Sequence, residues 1–234
     1  MAQPVSEPLA GGGATRVTMR VADADAAVDL ELVVFDSRRC GIRVIDQPRP
    51  GAGGSVIAPA MRAHRAVAGV NGGFFTPEFQ PLGLMISGGR RTGTIKDSKL
   101  LGGMFLSAGG QPYLIWRSEY SGDHGITDLV QAGPRLVDGG AAVGGLAANA
   151  SRVRTFIATD GHHHWAVGVA RSASLAALAD LLAAPGMIPN LRVRRALNLD
   201  GGNSSAIWMR TARGKEISEP GWSTVRNFIA IAPK

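Results

Sequence analysis

The 234-residue chain has a single cysteine, Cys40, so it can form no internal disulfide and no cysteine-based zinc site, and cysteine usage leaves its redox compartment open. It has no apolar run of about 20 residues and no cationic start leading into an apolar h-region, so nothing reads as a membrane span or an intact signal peptide. Met1-Ala2-Gln3-Pro4 looks like an initiator methionine placed before the processed end of an exported protein, with a cytosolic start as the alternative. No His-Glu-x-x-His, Gly-x-Ser-x-Gly or P-loop pattern occurs, which leaves zincin, α/β-hydrolase and nucleotide-kinase mechanisms without support. Nor is there a dense basic run with interleaved aromatics, a zinc-finger spacing or an RNP-like strand, so nucleic acid is not expected as a partner.

A hydrophobic content of 45% is enough for a sizeable core. The formal charge of +7 and a pI near 10.5 favour anionic partners, phosphate-bearing small molecules or glycans among them. Pro, Ala and Gly dominate residues 1–13, which are expected to be a flexible lead-in to one domain over residues 14–234. Val17, Met19 and Val21, then Val28, Leu30, Leu32 and Val34, alternate with polar neighbours and predict two half-buried strands paired through Ala22 to Ala27. A third short strand is expected over Ile42 to Ile45, ended by Pro48, Pro50 and the glycines after them. Residues 55–68 predict a helix beginning near Pro59 that delivers the chain to Asn71. Further strands are expected near 82–87, 104–107, 112–117 and 127–137.

Val153 to Thr159 and His163 to Ala170 flank Asp160-Gly161, a pair suited to a two-residue type I′ hairpin turn. Ser172 or Ser174 caps a helix with Leu175, Leu178, Ala179 and Leu182 on one face, stopped by Pro185-Gly186. Ala196 to Leu199, Ala206 to Met209 and Val225 to Ile231 read as closing strands. With no internal repeat, these elements predict a single-domain α+β fold with a mixed, mainly antiparallel sheet and two principal helices.

Two Gly-rich turns carry the chemistry. In Asn198-Leu199-Asp200-Gly201-Gly202-Asn203-Ser204-Ser205 an apolar strand runs into an acid, and paired glycines allow a close backbone approach to a ligand. Asn203, Ser204 and Ser205 add groups that suit sugar hydroxyls or phosphate oxygens, whereas the bland alternative is a tight Asx turn. Asn71-Gly72-Gly73-Phe74-Phe75 has the same form; its alternative is a turn that sends phenylalanine into the core. Arg152 and Arg154 share one side of a strand and Thr155 lies on the other, so a cationic face able to grip phosphate stands against ordinary surface charge. Gln131, before Gly133-Pro134, is a candidate ligand for a hydroxyl. Adjacent histidines on a strand point to opposite faces, so His162-His163-His164 does not predict a metal site. Ser204 and Ser205 have no histidine nearby in sequence to activate them as nucleophiles.

Asn71-Gly72-Gly73-Phe74-Phe75, Gln131 to Val137, Arg152-Val153-Arg154-Thr155, the Ser174 to Leu182 helix and Ala196 to Gly202 resemble, in that order, the blocks of the phosphodiester glycosidase family. Asn203 replaces a glycine that often follows the Gly pair there, and Ala158 stands where a glycine is common; Pro81-Leu82-Gly83-Leu84 is closer to bacterial relatives. The resemblance implies hydrolysis of a sugar-1-phosphodiester at the glycosyl bond, and a secreted or periplasmic protein associated with exopolysaccharide. On the same basis Asp200 and Arg154 are the expected catalytic pair. Asn71, Gly72, Gly73, Gln131, Thr155, Gly201, Gly202, Asn203, Ser204 and Asn227 are expected to bind substrate. No cofactor is expected, although a divalent metal stays open. The alternatives are a glycan-binding protein on the same scaffold and a metal-dependent phosphodiesterase.

Overall fold

The computed structural model describes residues 4–23, 26–50 and 57–234. Its strands form an eight-stranded sheet and two five-stranded sheets, and every strand pairing among the described residues is antiparallel. With two α-helices, α1 (Ile57–Ala63) and α2 (Leu175–Ala183), this is the expected single-domain α+β class, its strands divided among three sheets.

The inner faces of all three sheets meet in one core, to which Val33, Phe105, Ile157, Trp165, Leu197, Ile207 and Ile229 belong. Strands in the middle of the large sheet are buried on both faces. Ile157 points into that core, while its neighbours Phe156 and Ala158 join the second cluster beneath α2, as the two-residue period of a strand requires. Ser174 caps α2 by accepting from Ala177 N at 3.0 Å, and Leu178, Ala179 and Leu182 are its buried stripe. Helix α1 lies over a smaller sheet: Ile57 and Met61 are buried there, and a Cβ on Gly69 would come within 2.3 Å of Met61 Sδ. Residues 55 and 56 of the expected helix, the glycines after Pro50 and the tip of the first hairpin lie outside the described residues.

Three expectations change. The described part of the lead-in is sheet: Val5–Pro8 pairs with Ala14–Asp23, Leu9 is buried and Ala10 N donates to Arg210 O at 2.9 Å. Gly11, Gly12 and Gly13 have positive φ, so glycines read as flexible instead turn the chain into a hairpin. Residues 1–3 lie outside the described residues. The Asp160-Gly161 reversal is also longer than two residues, because Thr159 pairs with Trp165 and Asp160 Oδ1 accepts from the N–H groups of both His162 and His164. Finally, Ala68–Asn71, at which no strand was expected, is a wholly buried strand of a five-stranded sheet.

Candidate functional site

Arg195–Asn198, an interior strand of the large sheet, delivers Asp200 just past its C-terminal end, beside Arg152–Thr159. Its backbone is braced on several sides. Leu199 N donates to Thr155 O at 2.8 Å, Asp200 N to Gly72 O at 3.0 Å, and Asn71 Nδ2 to Asp200 O at 2.7 Å. The chain then makes a short 3-10 turn, Gly202–Ser204, entered through Gly201, where a Cβ would sit 3.0 Å from Val153 O, and through Gly202 at φ +63°. Both glycines are therefore required by geometry.

Asp200 opens into a cleft of about 410 Å³ lined also by Phe74, Arg152, Arg154, Asn198 and Asn203. It is the only carboxylate among the described residues that line this cleft. Burial pushes its pKa up, opposed by hydrogen bonds from the Ser204 side chain and from Gly201 N, which donates to Oδ1 at 2.9 Å. Arg154 is half-buried and donates from Nε to Ala173 O at 3.2 Å and from Nη2 to Ala150 O at 2.8 Å. Its pKa is lowered by burial and by the neighbouring charge of Arg152. A guanidinium keeps its proton under such a shift, and among the described residues neither arginine forms an ion pair with a carboxylate. Arg152, which the family resemblance did not assign, lines the cleft beside Arg154 because the strand carries both on one side. Through Leu100, Pro134 and Leu175 the cleft continues into a groove of about 880 Å³ that contains Lys99, Arg117 and Arg135.

The expected substrate-binding residues fall into two groups. Gly201, Gly202 and Asn203 line the cleft, and Ser204 stands behind them against Asp200. Asn71, Thr155, Gln131 and Asn227 do not line it; they are buried and bonded to the protein. Asn71 Oδ1 accepts from Thr155 Oγ1 at 2.8 Å and from Ala206 N at 3.0 Å. Asn227 Oδ1 accepts from Gly73 N at 2.8 Å, and its carbonyl from Gly72 N at 2.9 Å. A Cβ on Gly72 would lie 1.9 Å from Asn227 Oδ1 and one on Gly73 2.6 Å from Val130 Cγ1, so the Gly pair serves packing inside the protein. Gln131 has four backbone partners: Oε1 accepts from Leu84 N and Lys96 N, and Nε2 donates to Lys96 O and Leu101 O. An amide so satisfied has no capacity left for a substrate hydroxyl. All four brace the turns around the cleft from within the protein. The histidine tract lies elsewhere: His162 and His163 line a separate cavity, and His164 Nδ1 pairs with Asp160 Oδ2 at 2.8 Å.

Asn198, the strand-end amide two residues before Asp200, belongs to the site although the sequence pattern does not assign it. It borders the cleft, and its Nδ2 donates to Gly133 O at 2.9 Å and to Leu199 O at 2.7 Å, tying the Asp200 loop to the turn after Gln131.

Residues 64–232 match the phosphodiester glycosidase family. No curated protein matches the sequence. Among solved structures, the catalytic domain of zebrafish N-acetylglucosamine-1-phosphodiester alpha-N-acetylglucosaminidase, auto-inhibited by its pro-peptide, superposes with a TM-score of 0.69 at 14% identity, covering 100% of this chain and 89% of that one. A hypothetical protein from Synechocystis superposes with a TM-score of 0.62 at 15% identity, covering 95% of this chain and 62% of that one. At these identities the superpositions establish the fold.

Proposed function

Because the chain belongs to the phosphodiester glycosidase family, we propose that it hydrolyses the bond between a sugar's anomeric carbon and a phosphodiester oxygen, releasing the sugar and a phosphomonoester. The observation that carries this reading is the cleft itself, whose lining holds one carboxylate, Asp200, together with two arginines that have no carboxylate partner among the described residues.

Glycosidases commonly need two carboxyl groups, one of them to protonate the departing oxygen. A phosphomonoester with a second pKa near 6 leaves with its electron pair far more readily than an alkoxide. Arg154 and Arg152 bind the phosphate and stabilise the charge that grows on the leaving oxygen. Asp200 acts in its ionised form, attacking the anomeric carbon or accepting the proton of the water that does. In either case water supplies the new oxygen on the sugar and the C–O bond breaks toward phosphate. Asn203, which lines the cleft, binds sugar or phosphate oxygens on this reading, and the adjoining groove takes the aglycone. An extracellular or periplasmic location agrees with this reading, and fractionation of the producing cells tests it.

Hydrolysis in ¹⁸O-water distinguishes the two bonds that water can attack. With UDP-N-acetylglucosamine and a methyl sugar-1-phosphodiester as substrates, label is expected in the released sugar, with turnover lost in Asp200→Ala. Label in the phosphate would mean attack at phosphorus and a phosphodiesterase. Binding without turnover that survives loss of Arg154 would mean a glycan-binding protein.

A further inference from the structure

Three of the four tryptophans are core residues: Trp116 is 5% exposed, Trp165 1% and Trp208 0%. Trp222, by contrast, is 90% exposed. Leaving so large an apolar side chain in water forgoes its burial, and an exposed aromatic beside a cleft is a ready contact for a ligand.

The position of Trp222 is set by both of its neighbours. Ser223 N donates to Asn203 O at 3.0 Å. On the other side, a Cβ on Gly221 would come within 2.8 Å of Asn203 O and 3.0 Å of Ser204 O, so the backbone there lies directly on the Gly202–Ser204 turn. That turn follows Asp200 and lines the cleft through Gly202 and Asn203. The segment is thus fastened to the loop that carries Asp200, and its one large apolar side chain is left in solvent next to that loop. Phe74, at the other Gly-rich turn, gives the cleft an aromatic inside.

We propose that Trp222 is a stacking platform for the pyranose ring of the glycosyl group, an assignment that rests on the glycosidase reading given above. The C–H bonds on one face of a pyranose carry partial positive charge and meet the negative face of the indole, while the ring hydroxyls stay free for polar groups such as Asn203. The contact is made to the C–H face of the ring and not to the bond that breaks, so most of it is already formed when the substrate binds. It therefore contributes to binding the ground state and the transition state alike, which places its effect in KM and leaves kcat close to its wild-type value.

Methyl phosphodiesters of N-acetylglucosamine, glucose and galactose 1-phosphates, each with one sugar ring, are suitable probes. For whichever of them is cleaved, Trp222→Ala is expected to raise KM about tenfold with kcat within about threefold of wild type, and Trp222→Phe to restore most of the KM. Fluorescence provides a second readout, because Trp222 is the one water-exposed indole. In an Asp200→Asn background, titration with a bound diester is expected to shift the emission to the blue. The shift should disappear in Asp200→Asn/Trp222→Phe, and dimethyl phosphate, which has no ring, should not produce it. An unchanged KM in Trp222→Ala, a shift that persists without Trp222, or an equal shift with dimethyl phosphate would each overturn the platform. Failure of the wild type to cleave any diester would sink the glycosidase reading instead, with the fluorescence titration still deciding the platform.

Discussion

Asp200 and Arg154 make distinct contributions, and substitution separates them. Arg154 keeps two backbone carbonyls as partners and lines the cleft, so on the proposed mechanism Arg154→Ala removes both a phosphate contact and a charge on the leaving side. Loss of one oxyanion donor in a preorganised site reduces turnover by roughly 10²–10³-fold, and kcat/KM for a glycosyl phosphodiester is expected to fall by that amount. On the proposed mechanism Asp200 has the opposite profile, required for turnover while its burial is unfavourable for stability at neutral pH. Its folded pKa lies above the ordinary 3.8 because of burial, so the folded protein holds this proton more tightly than the unfolded chain does. The stability it contributes is complete below the unfolded pKa and is lost as pH rises through the folded one. Asp200→Asn is therefore expected to abolish most turnover, on the order of 10⁴-fold, while melting at a higher temperature than wild type near pH 7. Melting curves across pH check the sign, since the advantage should shrink toward pH 3.8; a variant that melts lower at neutral pH would contradict it.

At the scale of elements, the site depends on cross-braces whose nature the sequence does not reveal. Asn71 and Gln131 each stand in an apolar stretch, a context that demands partners for the amide but does not say whether backbone or ligand supplies them. The structure supplies backbone and neighbouring side chains, because Ala68–Asn71 is a buried strand against the Asp200 loop and because Leu84, Lys96 and Leu101 all fold onto Gln131. Gln131→Met leaves several buried backbone groups unpaired, each costing roughly 1–3 kcal/mol, so its midpoint in urea should move by the equivalent of about 3 kcal/mol or more. Asn71→Leu is expected to lose comparable stability and, by freeing the Asp200 carbonyl, to lower kcat more than it raises KM.

The same scale explains what was legible. The hairpin of Ala14–Asp23 with Ala26–Asp36, the capped helix α2 and the Gly-flanked acid were readable because alternation, caps and paired glycines are local signals. Ala68–Asn71 was not readable, since a strand buried on every side has no alternation to show. Val5–Pro8 was hidden by the glycines that form its turn. Trp222 gave no sign of its place, because only the fold sets Gly221 and Ser223 against Asn203.

The whole molecule adds a field to these local contacts. The chain carries a formal charge of +7, and Arg152, Arg154, Lys99, Arg117 and Arg135 line the cleft and the groove that continues it, against Asp200 and Asp97. Asp97 is paired with Arg117 at 3.0 Å, so the excess along this path is positive. A dianionic phosphomonoester product is attracted to such a surface more strongly than a monoanionic diester, and both are drawn in over distances comparable with the Debye length, about 10 Å at 0.1 M salt. Added salt should therefore lower kcat/KM by raising KM, and should relieve inhibition by the phosphomonoester more steeply, the larger charge being the more strongly screened. Steady-state rates and product inhibition measured between about 20 and 300 mM sodium chloride test this. A KM that does not change with salt, in an enzyme whose Arg154→Ala variant is impaired, would mean that phosphate is held by short contacts inside the cleft alone. Equal salt slopes for substrate and product would mean that the path beyond the cleft carries no charge recognition.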